Sequence, residues 1–191
     1  MKKVLIILLA LILASGFAFA QDKASSVALT PYVDKGELLA NVGIGWGGLS
    51  GGVEFTFYRL DIGGILPLTF GAAGRATLDP GIFSADWFIF AAGGFGTAHV
   101  GFKELNLPSG LTFLSDVDSY IGLGLGFASG SSDYYVDITP GIGISTFAGA
   151  AYYLSDTLAI NFEYGYIGRI KYWSTYSWPV WYSTIGVILK L

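Results

Sequence analysis

Leu158-Ala-Ile-Asn-Phe-Glu-Tyr-Gly-Tyr166 alternates large and small side chains without a break. Leu158, Ile160, Phe162, Tyr164 and Tyr166 fall on one face, and Ala159, Asn161, Glu163 and Gly165 on the other. A period of two identifies a β-strand, and this run has the ~9–11 residues of a tilted strand that crosses a bilayer. The end of the chain repeats the pattern. There Trp181, Ile185, Val187, Leu189 and Leu191 oppose Tyr182, Thr184, Gly186, Ile188 and Lys190.

Earlier segments read the same way. Ala40, Val42, Ile44 and Trp46 oppose Asn41, Gly43 and Gly45, while Val53, Phe55 and Phe57 oppose Glu54, Thr56 and Tyr58. Leu66, Leu68 and Phe70 oppose Pro67, Thr69 and Gly71, and Ile121, Leu123, Leu125 and Phe127 oppose Gly122, Gly124 and Gly126. Two further strands are less regular, because Ser84 to Ala98 begins apolar on both faces and Gly141 to Leu154 turns small around Phe147 to Ala151. The predicted strands are 38–48, 52–60, 64–75, 84–98, 117–128, 141–154, 158–169 and 180–191.

Which face looks outward decides between a membrane barrel and a soluble one. A soluble barrel fills its interior with bulky apolar groups and carries charge outside. Here the face opposite the bulky residues is mostly Gly, Ala, Ser, Thr and Asn, and glycine buries no side chain. The bulky face therefore looks toward lipid and the small face lines a narrow interior, with every backbone group paired to a neighbouring strand. Composition agrees. The chain is 53% hydrophobic but only 13% charged, about half the charge usual in soluble domains. Its longest uncharged mature stretch, Ile138 to Ser155, is interrupted by Pro140, Gly141, Gly143 and Gly149, which argues against a spanning helix.

Residues 1–20 read as a secretory signal peptide, with Lys2 and Lys3, an apolar run from Val4 to Ala14, and a small-x-small ending that places cleavage after Ala20. Residues 21–37 are then a short periplasmic segment and 38–191 the barrel domain. The chain has no cysteine, so neither a lipid-acceptor Cys nor a disulfide is available. Loss of Lys2 and Lys3 leaves eight basic against fourteen acidic residues, a net charge of −6 that disfavours nucleic acid as a partner.

An even-stranded barrel has both termini in the periplasm, with short turns there and longer loops outside. Ser155-Asp156-Thr157 suits a periplasmic turn and Ile170 to Pro179 an outer loop. Two connections fit less well. Gly47 to Gly51 is short for an outer loop, and Phe102 to Asp116 is long for a periplasmic turn.

Over nearly all its mature length the chain resembles the small outer-membrane barrels of the OmpA transmembrane domain, OmpX and OmpW type. The signal peptide, the Ala150-Ala-Tyr-Tyr-Leu-Ser-Asp-Thr-Leu158 turn, the Phe162-Glu-Tyr-Gly-Tyr166 strand and the terminal Trp181 to Leu191 strand carry the likeness. It implies an all-β, antiparallel, up-and-down transmembrane barrel of about eight strands. The protein would lie in the bacterial outer membrane, surrounded by its lipid and inserted by the barrel-assembly machinery. The OmpW type further implies a narrow channel for small or hydrophobic molecules.

Candidate functional residues are few. Glu54, Arg75, Asp86, Glu163 and Arg169, with Lys190, are the charges expected inside the barrel or at its mouths, either as an ion-pair plug or as a polar path. Glu163 shares the inward face with Asn161 and Gly165, and its candidate partners are Arg75 and Arg169. Trp46, Trp87, Tyr164, Tyr166, Trp173, Trp178 and Trp181 read as interfacial girdles. The aromatics from Tyr172 to Trp181 also offer faces for a small-molecule or surface ligand whose identity the sequence does not specify. His99 is the single histidine, which excludes multi-histidine metal sites. No Ser follows it at short spacing, so it reads as a strand-end polar residue and not as a catalytic base. Glycines 43, 45 and 47 and 122, 124 and 126 alternate along strands with no helix behind them, unlike a phosphate cradle. No catalytic, cofactor or metal residue is assigned. The expected function is a non-enzymatic structural or surface-interaction barrel, with a narrow channel second and a lipid-modifying enzyme third.

Overall fold

The computed structural model describes residues 29–62, 66–81, 87–101, 103, 116–132, 138–172 and 176–191. Eight antiparallel strands follow the chain: β1 (Leu38–Trp46), β2 (Gly48–Ile62), β3 (Leu66–Asp79), β4 (Trp87–Gly101), β5 (Val117–Ser132), β6 (Ile138–Tyr153), β7 (Leu158–Tyr172) and β8 (Tyr176–Lys190). Each pairs with its sequence neighbours, and β1 pairs with β8 from Leu39↔Lys190 to Trp46↔Ser183, which closes the sheet into a barrel. Closure leaves no exposed row of backbone donors and acceptors. Most strands run to 14–16 residues, more than the ~9–11 that cross a bilayer, so their ends project beyond the apolar band. One end of the barrel, the base, holds residues 29–37 and the C-terminus, and the opposite end is the rim.

The first connection is shorter than the expected Gly47 to Gly51. Gly51 pairs with Val42, Ser50 with Gly43 and Gly48 with Gly45, so all but Gly47 of that stretch belongs to β2. The reversal is possible because Gly47 and Gly48 adopt φ of 97° and 84°, a region open to glycine at little steric cost. The expected Phe102 to Asp116 connection lies outside the described residues except at Lys103 and Asp116.

Two register shifts alter the inward and outward assignment. Between Thr56 and Tyr58 the β2–β3 ladder slips. Tyr58, expected inside, is thus half exposed on the outer surface, and Arg59 pairs instead opposite the inward Thr69. Between Ile167 and Arg169 the β7–β8 ladder slips at Gly168, whose φ is +64°. Such bulges insert one residue and reverse the alternation beyond them.

Outside, Val42, Leu123 and Ile142 are 66%, 66% and 73% exposed, and Ile44, Phe55, Leu125, Phe162 and Ile185 are similarly uncovered. A continuous apolar wall of this extent is far larger than a soluble monomer exposes, and it is the surface of a transmembrane barrel. Among the described residues no helix is long and apolar enough to cross a membrane.

Inside, the wall is not uniformly small. Phe95, Tyr120, Phe147 and Tyr182 are buried within the lumen, and glycines form the sockets that admit their rings. A Cβ at Gly122 would collide with the Phe147 ring, one at Gly149 with Tyr120, and one at Gly93 would crowd Phe95. Phe147 contacts Phe95 edge-on at 4.9 Å and Tyr120 at 6.1 Å. Apolar residues also fill both ends: Leu39, Tyr153, Ala159 and Ile188 toward the base, and Ala91, Ala128, Ile167, Ile170 and Val180 toward the rim. The interior is therefore packed in layers.

Gly122→Val should destabilise the barrel by ~1–3 kcal/mol through overpacking against Phe147. Gly94→Ala, where a Cβ meets nothing within 4 Å, should be close to neutral. Urea unfolding of both variants in detergent measures the contrast, and equal losses would contradict the socket assignment.

Candidate functional site

The middle layer of the lumen holds the charges. Glu54 on β2, Arg75 on β3, Thr97 and His99 on β4, Asp118 and Tyr120 on β5, Asn161 and Glu163 on β7, and Tyr182 on β8 all project inward. Strand parity explains this, since each sits an even number of residues from inward neighbours such as Thr56, Thr77, Phe95, Gly122 and Thr184. Burial is near complete. Arg75 is 6% exposed, His99 3%, Glu54 2%, and Asp118 and Glu163 1% each.

These groups form one chain of contacts across the lumen. Asp118 Oδ2 lies 2.7 Å from His99 Nδ1, and His99 Nε2 lies 2.7 Å from Glu54 Oε1. The other oxygen of Glu54 accepts from Arg75 Nη2 at 3.0 Å, and Arg75 Nε donates to Glu163 Oε2 at 3.4 Å. Tyr182 Oη donates to Glu163 Oε1 at 2.7 Å, and Thr97 donates to Glu54 Oε1. Asn161 Nδ2 donates to the Tyr120 hydroxyl at 3.0 Å. The Arg75 guanidinium also lies over the Phe147 ring, 4.9 Å from its centroid. A buried ion network of this kind roughly breaks even against apolar packing, because desolvation offsets attraction. Removing one member is another matter, since it strands a charge in a medium with little water. Arg75 stands mid-chain and keeps its protons at every working pH, so the contacts do not amount to an end-to-end proton path.

Below this layer the N-terminal segment crosses the base. Tyr32 is 8% and Val33 1% exposed. Tyr32 N donates to Gly101 O at 3.1 Å, Lys103 N donates to Thr30 O at 2.8 Å, and Gly36 N donates to Thr56 O at 2.7 Å. The Tyr32 ring stacks on Tyr153 at 4.7 Å, and its hydroxyl donates to Asp116 at 2.7 Å. Burial and the Asp116 carboxylate push that phenol well above its ordinary range. Lys190 donates to the Tyr32 carbonyl and pairs with Glu37. Arg59 pairs with Asp34 at 3.2 Å and with Asp61 at 2.8 Å. Lys103 pairs with Asp156 at 2.6 Å, which lowers the Asp156 carboxyl. Solvent screens these exposed and partly exposed pairs, so each contributes little to stability. The Arg59–Asp34 and Lys190–Glu37 pairs, with the Lys190 bond to the Tyr32 carbonyl, tie the strap over the mouth. The described part of the expected periplasmic segment 21–37 is thus a floor built into the barrel.

Of the charges expected inside, Glu54, Arg75 and Glu163 meet in the central layer. Arg169 does not join them. Ile167 keeps the inward parity of Glu163, but beyond the Gly168 bulge Ile170 turns inward and Arg169 is exposed, so Glu163 has Arg75 as its cation. Asp86 and Trp173 lie outside the described residues, and Trp87 opens β4 with its side chain outside them. Trp46, Tyr164, Trp178 and Trp181 are exposed. Tyr164 stacks on Trp181 at 5.5 Å, and half-exposed Tyr166 meets it edge-on at 4.9 Å. The aromatic cluster proposed as a ligand face falls largely outside the described side chains.

Sequence reasoning did not single out Asp118 and read His99 as a strand-end polar residue, whereas His99 is buried in the lumen between two carboxylates. The signal was present in parity. Thr97 and His99 lie two and four residues after Phe95, and Asp118 and Tyr120 continue backward the alternation of Gly122, Gly124 and Gly126.

No family model matches the chain, and no curated protein does. Solved structures similar to it include the N-terminal β-barrel domain of Pseudomonas aeruginosa OprF, at 10% identity, with 83% of this chain and 100% of that chain covered and a TM-score of 0.47. The attachment invasion locus protein Ail of Yersinia pestis is 16% identical over 82% of this chain and 99% of that one, with a TM-score of 0.44. Neisserial surface protein A is 17% identical over 81% and 94%, with a TM-score of 0.42.

Glu163→Ala leaves Arg75 with one carboxylate and Tyr182 Oη with none. The change should cost ~3–5 kcal/mol in urea unfolding in detergent, and a loss below ~1 kcal/mol would contradict a dry, paired lumen.

Proposed function

We propose that this chain is a non-enzymatic integral protein of the bacterial outer membrane, a closed barrel with a structural or surface-interaction role. The observation that carries this reading is the buried contact chain from Asp118 to Tyr182, lying between the apolar rim layer and the Tyr32–Val33 floor. An eight-stranded barrel has an interior just wide enough for side chains, and here aromatic rings and ion pairs occupy it. A narrow channel, the second reading of the sequence, requires a continuous hydrated path that this filling opposes. The enzyme reading requires a histidine facing a nucleophile, whereas both His99 ring nitrogens face carboxylates. In this role the apolar belt meets membrane lipid, the barrel-assembly machinery inserts the chain, the base faces the periplasm and the rim faces outward.

Planar-bilayer recording of the purified full-length mature protein tests the proposal. Wild type at neutral pH should show no sustained conductance. Steady single-channel currents from a homogeneous preparation would overturn it in favour of a channel.

A further inference from the structure

The two carboxylates on His99 impose a count of protons. An ionised carboxylate only accepts hydrogen bonds, and a neutral imidazole has one N–H and one bare nitrogen. Yet both ring nitrogens lie 2.7 Å from carboxylate oxygens, Nδ1 from Asp118 Oδ2 and Nε2 from Glu54 Oε1. A neutral histidine between two ionised carboxylates would set a lone pair against an oxygen at one of those contacts. The set is satisfied only with a hydrogen in each contact.

The surroundings place both hydrogens on the ring. Glu54 already accepts from Arg75 and Thr97, as an ionised carboxylate does. Asp118 is 1% exposed, and its Oδ1 has no hydrogen-bond partner. Without a charged His99, Asp118 would be a buried carboxylate with no counter-ion among the described residues. The charged groups facing this site are Glu54 from β2, Arg75 from β3, Asp118 from β5 and Glu163 from β7. Among the described residues the titratable hydroxyls are Tyr120, whose ring stacks on His99 at 5.4 Å, Tyr182 from β8 and the buried Tyr153 from β6, which lies close enough to interact with Asp118 and Glu54.

We propose that Asp118, His99 and Glu54 form a proton-held latch on the lumen. The barrel stays closed while the His99 imidazolium bridges β2 and β5 through their carboxylates, and it loosens when that proton leaves. With the proton, Arg75 and His99 face three carboxylates. Without it, Arg75 is the one cation left in this layer among the described residues, it reaches Glu54 and Glu163 but not Asp118, and Asp118 repels Glu54 across a neutral ring. The latch rests on the closed-lumen reading, but its protonation state can be tested separately.

Nitrogen-15 NMR of the full mature protein in detergent, with labelled histidine, reads that state directly at neutral pH. The imidazolium pattern, with both nitrogens protonated, is expected, and one bare nitrogen would overturn the latch whatever the conductance. The second arm follows urea midpoint and planar-bilayer conductance as the pH is raised from neutrality. Wild type should lose stability and gain current together. His99→Gln should be loosened at every pH, with a midpoint lower by about 1–3 M. The same pH response in His99→Gln would overturn the latch, because it would then come from groups other than His99. The double variant His99→Gln with Asp118→Asn restores the net charge of the closed state and should recover most of the midpoint, and failure to recover would equally count against it. Current from wild type at neutral pH together with an imidazolium signal would sink the closed-lumen function and leave the protonation assignment standing.

Discussion

A buried charge inside a barrel of eight strands has nowhere to go. The wall is closed by the β1–β8 ladder, the interior admits little more than side chains, and lipid surrounds the outside. Arg75 is therefore fixed by its setting as much as by its partners, because Glu54 and Glu163 reach it from either side and no alternative solvent is at hand. The fold is organised around that constraint. Glycine sockets let Phe95, Tyr120 and Phe147 fill the space around the guanidinium, and exclusion of water makes each ion pair costly to break.

The layers divide the work. The apolar rim layer and the strap at the base shield the charged middle from both mouths, and the strap is held by groups from β2, β4, β6 and β8 at once. The strap also supports closure of the sheet. Lys190, at the end of β8, bonds to Tyr32 and Glu37 just before β1 begins, and Leu191 N donates to Leu38 O at 2.9 Å. The first and last strands are thereby joined by the ladder and by the residues beyond it.

Much of this was legible in the sequence because a strand's period of two survives without knowledge of its partners. The parity of Glu163 with Asn161 and Gly165 was sufficient to turn it inward, and the parity of Arg75 with Thr69 and Gly71 supplied its counter-ion. Parity fails at a bulge, which depends on the neighbouring strand's register and leaves a glycine as a local trace at Gly168 but none between Thr56 and Tyr58. Gly168 misplaced Arg169 in this way, and the slip after Thr56 did the same for Tyr58. His99 was obscured because β4 begins apolar on both faces, so neither face declared itself as the lumen. The strap was not legible at all, since Thr30 to Glu37 has no periodicity and its order comes entirely from residues distant in sequence.

The most direct measurement of the central constraint is a double-mutant cycle between Arg75 and Glu163, using Arg75→Met, Glu163→Leu and the pair, with urea unfolding in detergent. In a dry lumen each single change strands a charge and costs ~3–5 kcal/mol, whereas the double change removes both charges together and costs far less than the sum. Additive losses would mean that the two side chains are separately hydrated, and would contradict a lumen closed by their pairing.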